Sequence, residues 1–263
     1  MRKTSISVAV VFYRPTEENI KRSFKNFQAL NKLKDDFNFS FFAIDNSPEL
    51  IFYEKIKNSA KKLKNVYVKH LTVNKGFGAG HNSIINDLKS DFHIVMNPDI
   101  EICDLKGFKN SIKYMEQNKK VVLLSPMVKN MDGTIQYLNR RKHTVLDLAL
   151  RFLGTGFLKK RQEYFVKKDT GYNSIQIDEN ATGCFMILRT TVFKKIAGFD
   201  TRFFMYFEDA DLTYRCEKEG VVIFYPYFTV KHMWKRDNHN LNGLINELKS
   251  MITFFNKWGW KIM

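Results

Sequence analysis

Three carboxylates stand within four positions directly after an aromatic run, and this is the strongest chemical signal in the sequence. The acids are Glu208, Asp209 and Asp211, and residues 203–207 before them read Phe-Phe-Met-Tyr-Phe. A helix that begins near Glu208 places the acids in its first turn, where the helix dipole favours negative charge. Apolar surroundings and neighbouring carboxylates raise the proton affinity of a carboxylate, as a general base requires. A charged helix start without a catalytic role is the alternative.

A second group of polar residues follows a short apolar strand. Residues 92–96 are predicted to form this strand, and Asn97, Pro98 and Asp99 come directly after it. Side chains two positions apart on an extended chain lie on the same face, so Asn97 and Asp99 are expected to point together. Oxygen ligands at a strand end suit Mg²⁺ or Mn²⁺ carrying a diphosphate. An ordinary Asn-Pro turn is the alternative.

Three glycines precede a predicted helix in residues 74–82, which read Asn-Lys-Gly-Phe-Gly-Ala-Gly-His-Asn. Glycines in this position allow backbone N–H groups to approach a phosphate or a sugar. The segment matches neither the dinucleotide-binding fingerprint nor the Walker A motif. A flexible turn is therefore an equally good interpretation of this segment alone.

The elements that position these residues alternate between strand and helix. The predicted strands of the first half span 6–13, 39–44, 66–71 and 92–96. Helical spacing of apolar residues separates the first three strands, which indicates an α/β fold with a mostly parallel central sheet flanked by helices. Ligands bind at the carboxyl ends of the strands in such sheets. Tyr13, Asp45 and Asn74 are predicted to lie there.

The second half of the chain is less regular. Periodicity weakens between about 129 and 178, where basic residues accumulate and one short amphipathic helix is predicted at 146–153. We interpret this segment as an insertion that contacts a partner or a substrate, although a solvated basic loop fits equally well. Further elements are predicted as a helix at 105–117, strands at 121–125, 181–189, 221–225 and 228–232, and a helix at 241–258 with Leu244, Leu248, Ile252 and Phe255 in phase.

Composition limits the possible classes of protein. The net charge of +16 over 263 residues implies attraction to nucleic acid, anionic lipid or phosphorylated substrates. Three widely spaced cysteines without a CxxC pair indicate neither a zinc knuckle nor a disulfide framework, and they favour a reducing cytoplasm. No stretch approaches the roughly 20 apolar residues of a membrane span. A nucleic-acid-binding protein is the rival class, but the basic residues are dispersed and no known nucleic-acid-binding pattern appears.

The C-terminal segment carries features of a membrane-contacting surface. Interfacial aromatic residues interspersed with lysines are typical of peripheral binding to anionic lipid. The alternative is that the helix packs its aromatic residues on the domain and leaves its lysines in water. The residues concerned are Phe254, Phe255, Trp258 and Trp260, with Lys257 and Lys261.

The ordered set of motifs resembles family 2 inverting glycosyltransferases with the GT-A fold, in particular the bacterial rhamnosyltransferase-like branch that builds O-antigen and related cell-surface polysaccharides. The resemblance covers residues 5–236. The matching motifs, in order, are Phe12-Tyr13, Asp45-Asn46, Asn74-x-Gly76-Phe77-Gly78-x-Gly80-x-Asn82, Asn97-Pro98-Asp99, Thr182-Gly183-Cys184-Phe185-Met186, Gly198-Phe199-Asp200, Phe204-Met205-Tyr206-Phe207-Glu208-Asp209-x-Asp211-Leu212-x-x-Arg215, and His232.

The resemblance implies the transfer of a sugar from a dTDP- or UDP-sugar to a lipid-linked saccharide, most closely of L-rhamnose from dTDP-rhamnose. It places Asp209 in the position of the catalytic base, with Glu208 and Asp211 beside it to orient the acceptor or the loop. A carboxylate base of this kind deprotonates the acceptor hydroxyl in one displacement, without a covalent enzyme intermediate.

The resemblance also implies the binding residues. Asp99 would hold a divalent cation, Mg²⁺ or Mn²⁺, and His232 stands where some members add an imidazole ligand, although a core histidine is an equal alternative. Asp45 would bond the base or ribose of the donor. The remaining predicted donor-binding residues are Tyr13 and Asn74 around the nucleoside, Gly76 and Asn82 by the nucleoside and diphosphate, and Asn97 beside the cation.

Two departures from the family pattern carry consequences. Asn97 replaces an acidic cation ligand, so the affinity for the metal should fall. The Gln-x-x-Arg-Trp motif of processive synthases is absent, which favours the transfer of one sugar or a few. The resulting prediction is one glycosyltransferase domain over 1–240 with an acceptor-side insertion at about 129–178, and a C-terminal helix over 241–263. The expected location is the cytoplasmic face of the plasma membrane.

Overall fold

The structure, a computed structural model, describes residues 2–61, 63–153, 157–233 and 241–263. Its strands are β1 Thr4–Phe12, β2 Phe37–Asp45, β3 Val66–His70, β4 Phe92–Met96, β5 Ile100–Ile102, β6 Val121–Lys129, β7 Gln176–Ile177, β8 Phe185–Arg189 and β9 Val221–His232. Its helices are α1 Glu17–Asn31, α2 Leu50–Ala60, α3 Phe77–Asn82, α4 Leu105–Gln117, α5 Val145–Leu153, α6 Lys159–Phe165, α7 Thr190–Lys195, α8 Glu208–Glu217 and α9 Leu241–Trp258.

One sheet organises the described residues. Its strand order is β3-β2-β1-β4-β8-β6-β9-β5, and β7 also pairs with β9. The pairs β1–β2, β1–β4, β2–β3 and β6–β9 are parallel, whereas β8 runs antiparallel between β4 and β6. The predicted α/β fold with a mostly parallel central sheet is therefore confirmed.

The sheet is covered on both faces, and β1 shows this directly. Val8 and Val10 belong to the core cluster that contains Phe27 of α1, whereas Ala9 and Val11 belong to a separate cluster on the other face. Because successive side chains of a strand point to opposite faces, a strand buried on both sides must be almost continuously apolar. This explains the apolar runs that predicted the central strands.

The second half of the chain departs from the sequence prediction in its strands. The two strands predicted at 221–225 and 228–232 form the single strand β9, which pairs with β6 through a register shift between Pro126 and Met127. The irregularity interrupts the apolar alternation and explains why the sequence indicated two strands. The short strand β5 was not predicted, because residues 100–102 were not assigned to any element from the sequence.

The segment at 129–178 is more ordered than a solvated basic loop. The amphipathic helix predicted at 146–153 is confirmed as α5, and α6 follows it. Its basic residues form ion pairs: Arg141 contacts Asp169 at 2.8 Å, and Arg161 contacts the buried Asp147 at 2.7 Å. Lys159 and Lys160 remain exposed.

Helix α9 packs its aromatic residues on the domain. Phe254 and Phe255 are buried in a cluster with residues of α5 and α8, and Trp258 packs against it. Lys257 is not left in water, because its Nζ lies 2.7 Å from Asp200 Oδ2. The sequence places four apolar residues in phase on this helix: Leu244, Leu248, Ile252 and Phe255. The prediction that they share a buried face is wrong, because the first three side chains are exposed. The core instead receives the Phe254 side of the helix.

No helix among the described residues has both the length and the hydropathy of a membrane span. The three cysteines of the chain, which all lie in the described part, are free thiols.

Candidate active site

Asn46 joins two of the segments predicted to bind a ligand. It follows β2 directly, and its Nδ2 donates to Asn74 Oδ1 at 2.7 Å and to the carbonyl oxygen of Gly76 at 3.1 Å. Asn74 Oδ1 also accepts from the Gly76 N–H at 2.9 Å. The glycine segment is thereby fixed at the carboxyl end of the parallel strands, as the sequence predicts for Asn74.

The glycine segment is packed tightly against the aromatic run that precedes the acids. Gly76 has a φ of +95°, and a Cβ there would lie 2.0 Å from the carbonyl oxygen of Phe204. The Phe77 N–H donates to that same carbonyl at 3.1 Å. Asn82 accepts from the N–H and donates to the carbonyl of Phe199, at 2.8 and 2.7 Å. The observed contacts of Asn82 therefore fix a neighbouring loop rather than point to a ligand.

Asp45 lies at the end of β2, where it is buried and contacts a histidine that is partly exposed. Its side chain is fully buried, Oδ1 accepts from the Ser47 N–H at 3.0 Å, and Oδ2 lies 3.0 Å from His70 Nδ1. The His70 ring is partly exposed and lies 5.4 Å from the ring of Tyr53. Tyr13, after β1, is 47% exposed. His70 was not predicted as a site residue, although β3 ends there in register with Asp45.

The acids begin helix α8 as predicted, after an unusual backbone. Tyr206 and Phe207 both have positive φ values, +67° and +63°. Bulky residues rarely adopt this conformation, and such strain is concentrated at functional sites. Asp209 Oδ2 accepts from the Gly183 N–H at 2.9 Å, and Oδ1 accepts from the Ala210 N–H at 2.8 Å. These two bonds fix the orientation of a carboxylate that is only partly buried.

Glu208 differs from Asp209 in its environment. Its side chain is buried, and Oε2 has no hydrogen-bond partner. Burial, together with the neighbouring charge of Asp209, raises the pKa of Glu208 to about 8. A carboxyl group with this pKa is protonated at pH 7 and does not accept a further proton, so Asp209 is the better base of the two.

Asp211 is committed to structural contacts. Its side chain is fully buried. Arg215 Nε donates to Oδ2 at 2.8 Å, while Trp258 Nε1 and Lys257 Nζ lie 2.9 and 2.5 Å from Oδ1. Lys257 and Trp258 belong to α9, so Asp211 attaches the C-terminal helix to the helix of the acids. These contacts leave no oxygen of Asp211 facing a ligand, in contrast with Asp209.

The structure brings Asp99 and His232 together. Asp99 Oδ2 lies 3.3 Å from His232 Nε2, and Asp99 Oδ1 is buried without a hydrogen-bond partner. A carboxylate with an unpartnered oxygen beside an imidazole fits a divalent cation, and Asn97 is two residues away. The described residues contain no group of three or more His, Cys, Asp and Glu that could hold a metal. A cation bound by only the side chains of Asp99 and His232 would have coordination positions left for the oxygens of a ligand.

Cys184 connects the acids to the predicted cation ligand. Its carbonyl oxygen accepts from the Asn97 N–H at 2.9 Å. The preceding residue, Gly183, donates its N–H to Asp209 Oδ2 at 2.9 Å. Two consecutive residues therefore contact the candidate base and the turn that carries the candidate cation ligand, which brings Asp209 and residues 97–99 to one region of the fold. Burial, together with the charges of Asp99 and Asp209, raises the pKa of the Cys184 thiol to about 12.

Comparison with known proteins is consistent with this geometry. The family model described as "Glycosyl transferase family 2" matches residues 7–197. The chain is 27% identical over 236 residues to the rhamnosyltransferase WbbL of Escherichia coli (strain K12), with 85% of this chain and 82% of WbbL covered.

Solved structures share the fold at low sequence identity. A mannosyltransferase of Pyrobaculum calidifontis in complex with GDP-Man and Mn²⁺ superposes with a TM-score of 0.67 at 13% identity over 98% of this chain. GalNAc-T7 with UDP, GalNAc and Mn²⁺ gives 0.63 at 13% identity over 95%. TarS of S. aureus gives 0.58 at 18% identity over 88%. The chain spans 64%, 48% and 37% of the lengths of these three proteins.

Proposed function

The chain belongs to glycosyl transferase family 2 and has the GT-A fold, and we propose that it transfers one sugar, with inversion, from a nucleotide donor to a saccharide hydroxyl. The observation that carries this proposal is that consecutive residues join the two acidic segments: the Gly183 N–H donates to Asp209 Oδ2, and the Cys184 carbonyl accepts from the Asn97 N–H, two positions before Asp99. Such a site has a cation ligand for the departing diphosphate and a carboxylate for the incoming hydroxyl.

Asp209 removes the proton in the proposed reaction. The acceptor hydroxyl oxygen forms a bond to the anomeric carbon while the bond from that carbon to the diphosphate oxygen breaks, and Asp209 takes the hydroxyl proton. Asp99 and His232, with Asn97 beside them, would hold a Mg²⁺ or Mn²⁺ ion, which supplies charge stabilisation to the diphosphate. Gly183 orients Asp209 through its N–H. Glu208, neutral at pH 7, adds no second negative charge beside the base.

The donor is proposed to be dTDP-rhamnose and the acceptor a lipid-linked saccharide. The similarity to WbbL across most of both chains supports this choice. The structural neighbours were solved with other donors, among them GDP-Man and, for TarS residues 1–349, UDP-GlcNAc. A UDP-hexose donor is therefore the second candidate, because similarity of fold does not select the sugar.

A thermal-shift screen tests the donor and the cation together. We expect dTDP-rhamnose with Mn²⁺ to raise the midpoint of unfolding by several degrees, since a ligand at 100 times its Kd stabilises a folded protein by about 2.7 kcal/mol. A domain of this size gains roughly 2–4 °C per kcal/mol. In Asp99→Ala the Mn²⁺-dependent part of the shift should disappear.

The control for this screen is Asp35→Ala, an exposed carboxylate on the surface, which should keep the full shift. A larger shift with UDP-sugars than with dTDP-rhamnose would select the UDP-hexose candidate. Equal shifts with Mn²⁺ and with EDTA would show that the diphosphate is neutralised without a cation, for example by Lys235 or Arg236, which lie outside the described residues.

The proposed membrane contact is an apolar stripe on α9, at the cytoplasmic face of the plasma membrane. Of the aromatic residues predicted to supply this contact, Phe254 and Phe255 are buried, whereas Trp260 is exposed. The outward surface of α9 itself is aliphatic. The outer stripe consists of Leu244, Ile245, Leu248 and Ile252, each about 40–47% exposed.

The charge around the outer stripe favours an anionic lipid surface as its occupant. Lys249, which follows Leu248 of the stripe, is exposed, and so are Trp260 and Lys261 after the end of α9. Glu247 is the one acidic residue in 241–263. Exposed aliphatic side chains with lysines and tryptophan bind the interface of anionic bilayers. The opposite side of α9 contacts the aromatic run at 203–207 that precedes the acids, because Ser250 Oγ donates to the Met205 carbonyl oxygen at 2.7 Å. Docking would therefore bring the acids near the bilayer.

Flotation with liposomes tests the outer stripe. We expect the protein to float with anionic vesicles at low salt, and binding should weaken as salt screens the lysines. The double variant Leu248→Asn/Ile252→Asn should lose most of this binding. The matched control is Leu50→Asn/Ile51→Asn, because both side chains are exposed on α2. Equal loss in both variants, or dimers of the wild type in light scattering that the stripe variant abolishes, would contradict a lipid occupant.

A further inference from the structure

A chain of hydrogen bonds runs from a turn in the 129–178 segment to His232. Thr134 Oγ1 donates to Asp132 Oδ1 at 2.6 Å, and Asn130 Nδ2 donates to Thr134 Oγ1 at 2.8 Å. Gln136 Nε2 donates to Asn130 Oδ1 at 2.7 Å. Gln136 Oε1 lies 3.0 Å from His232 Nδ1. Gln136 is buried, whereas the turn at 131–134 is exposed.

The chemistry of the groups fixes the direction of every bond in this chain. The side-chain hydrogen bond from Thr134 lowers the pKa of Asp132, so Asp132 is an ionised carboxylate that can only accept. The Thr134 hydroxyl therefore donates to Asp132 and accepts from the amide nitrogen of Asn130. The amide oxygen of Asn130 then faces Gln136 and requires the amide nitrogen of Gln136 as its donor.

A second contact sets the orientation of Gln136 independently. Gln136 Nε2 also donates to the backbone carbonyl oxygen of His232 at 3.0 Å. A carbonyl oxygen has no proton to give, so the Gln136 atom beside it must be the nitrogen. The oxygen of Gln136 therefore faces His232 Nδ1 and accepts from it. His232 must carry a proton on Nδ1.

We propose that Gln136 is a positioning residue that holds His232 in its Nδ1–H tautomer and aims the Nε2 lone pair at the cation held by Asp99. This inference rests on the proposed function for the presence of that cation. With Nδ1 bonded to Gln136, Nε2 is the ring nitrogen that faces Asp99 Oδ2, at 3.3 Å. Asp99 Oδ1 is buried without a hydrogen-bond partner, so the carboxylate and Nε2 together would provide ligands for a divalent cation.

The role of the 130–136 turn follows from this arrangement. A histidine that ligates a metal donates its other ring N–H to a partner that fixes the tautomer and the ring orientation. Gln136 is that partner here, and Asn130 and Thr134 hold Gln136 in turn. The segment interpreted from sequence as an insertion for partners or substrates thus contributes directly to the cation site.

The first test measures the tautomer in the metal-free wild type and needs no variant. Nitrogen-15 NMR of labelled imidazole rings at pH 7.5, with His232 assigned by comparison with His232→Gln, should show the Nδ1–H form of this residue. An Nε2–H tautomer, or a ring protonated on both nitrogens in an ion pair with Asp99, would overturn the proposal. This measurement is independent of any transferase activity.

The second test measures Mn²⁺ affinity by electron paramagnetic resonance in the presence of dTDP. Loss of a partner of a ligating histidine weakens metal binding by about 10- to 100-fold, and we expect this loss in Gln136→Met. Gln136→Glu keeps an acceptor for the Nδ1 proton but loses the donor to the His232 carbonyl and to Asn130, so its affinity should lie between those of wild type and Gln136→Met. Gln176→Met is the matched control, because Gln176 hydrogen-bonds Thr170 and Gly171 in the same segment without contacting His232.

Circular dichroism confirms that each variant is folded before the affinities are compared. Wild-type affinity in folded Gln136→Met, or equal losses in Gln136→Met and Gln176→Met, would overturn the proposal. Absence of Mn²⁺ binding by the wild type would also overturn it, whatever the tautomer. In that case sugar transfer measured in EDTA decides the proposed function separately.

Discussion

Asp209→Asn is expected to keep the fold and the binding of the donor but to lose turnover by about 10²–10⁴-fold, the usual contribution of a positioned general base. The amide oxygen of asparagine can still accept from the Gly183 N–H, which Asp209 Oδ2 does now at 2.9 Å. One of the two bonds that orient the side chain is therefore kept and the bond from the Ala210 N–H is lost, whereas an amide cannot take the proton of the acceptor hydroxyl. Steady-state release of nucleoside diphosphate, with a thermal-shift control for donor binding, measures the loss.

Glu208→Gln is the matched control for this variant. Burial and the charge of Asp209 raise the pKa of Glu208 to about 8, so at pH 7 the native side chain is neutral, as glutamine is. The control should therefore turn over at close to the wild-type rate. If Glu208→Gln were inactive while folded Asp209→Asn remained active, the base would be Glu208 and the proposed assignment would be wrong.

The features that the sequence predicts well are those that depend on neighbouring residues. The start of α8 at Glu208, the strand before Asn97 and the helix over 241–258 each follow from local sequence pattern, and the structure confirms them. The βαβ alternation predicts the parallel sheet for the same reason. Asp99 and His232 were brought together by the family resemblance rather than by spacing, since 133 positions separate them.

Features that depend on distant contacts were missed or misassigned. Asp45 was predicted to bond the donor directly, but its burial and its bond to His70 become visible only when β2 and β3 are paired. Gln136 carries no signal in the sequence, because its partner His232 lies 96 positions away. The buried face of α9 was predicted wrongly at Leu248, since helical spacing gives the phase of an apolar stripe but not the surface that covers it.

The same limit applies to the three acids of α8, which spacing alone presented as equivalent. Glu208 is enclosed by apolar residues, Asp209 is held by backbone N–H groups, and Asp211 is paired with cations. The acids differ because α9 contacts Asp211, whereas Gly183, just before β8, contacts Asp209. We therefore expect substitution of Asp209 to lower turnover and substitution of Asp211 to lower stability.

Asp211→Ala is expected to lower the free energy of unfolding by about 3–5 kcal/mol, the usual cost of removing one partner of a buried ion pair. The variant leaves Lys257, Arg215 and the indole N–H of Trp258 without the carboxylate that they contact. Lys257 also contacts Asp200, at 2.7 Å, so its charge keeps one partner in the variant. We therefore expect the loss of unfolding free energy to lie near the lower end of this range. Urea denaturation followed by circular dichroism measures the change.

Two further variants decide whether this cost comes from the buried pair. Asp35→Ala removes an exposed carboxylate and should change the free energy of unfolding by no more than about 0.5 kcal/mol. Lys257→Met in the Asp211→Ala background should cost less than it does alone, because the lysine no longer has Asp211 to lose and the two residues are coupled. A cost below about 1 kcal/mol for Asp211→Ala, accompanied by a loss of turnover as large as that of Asp209→Asn, would contradict the structural assignment. Asp211 would then act on the substrate, and the contacts between α8 and α9 would be incidental to stability.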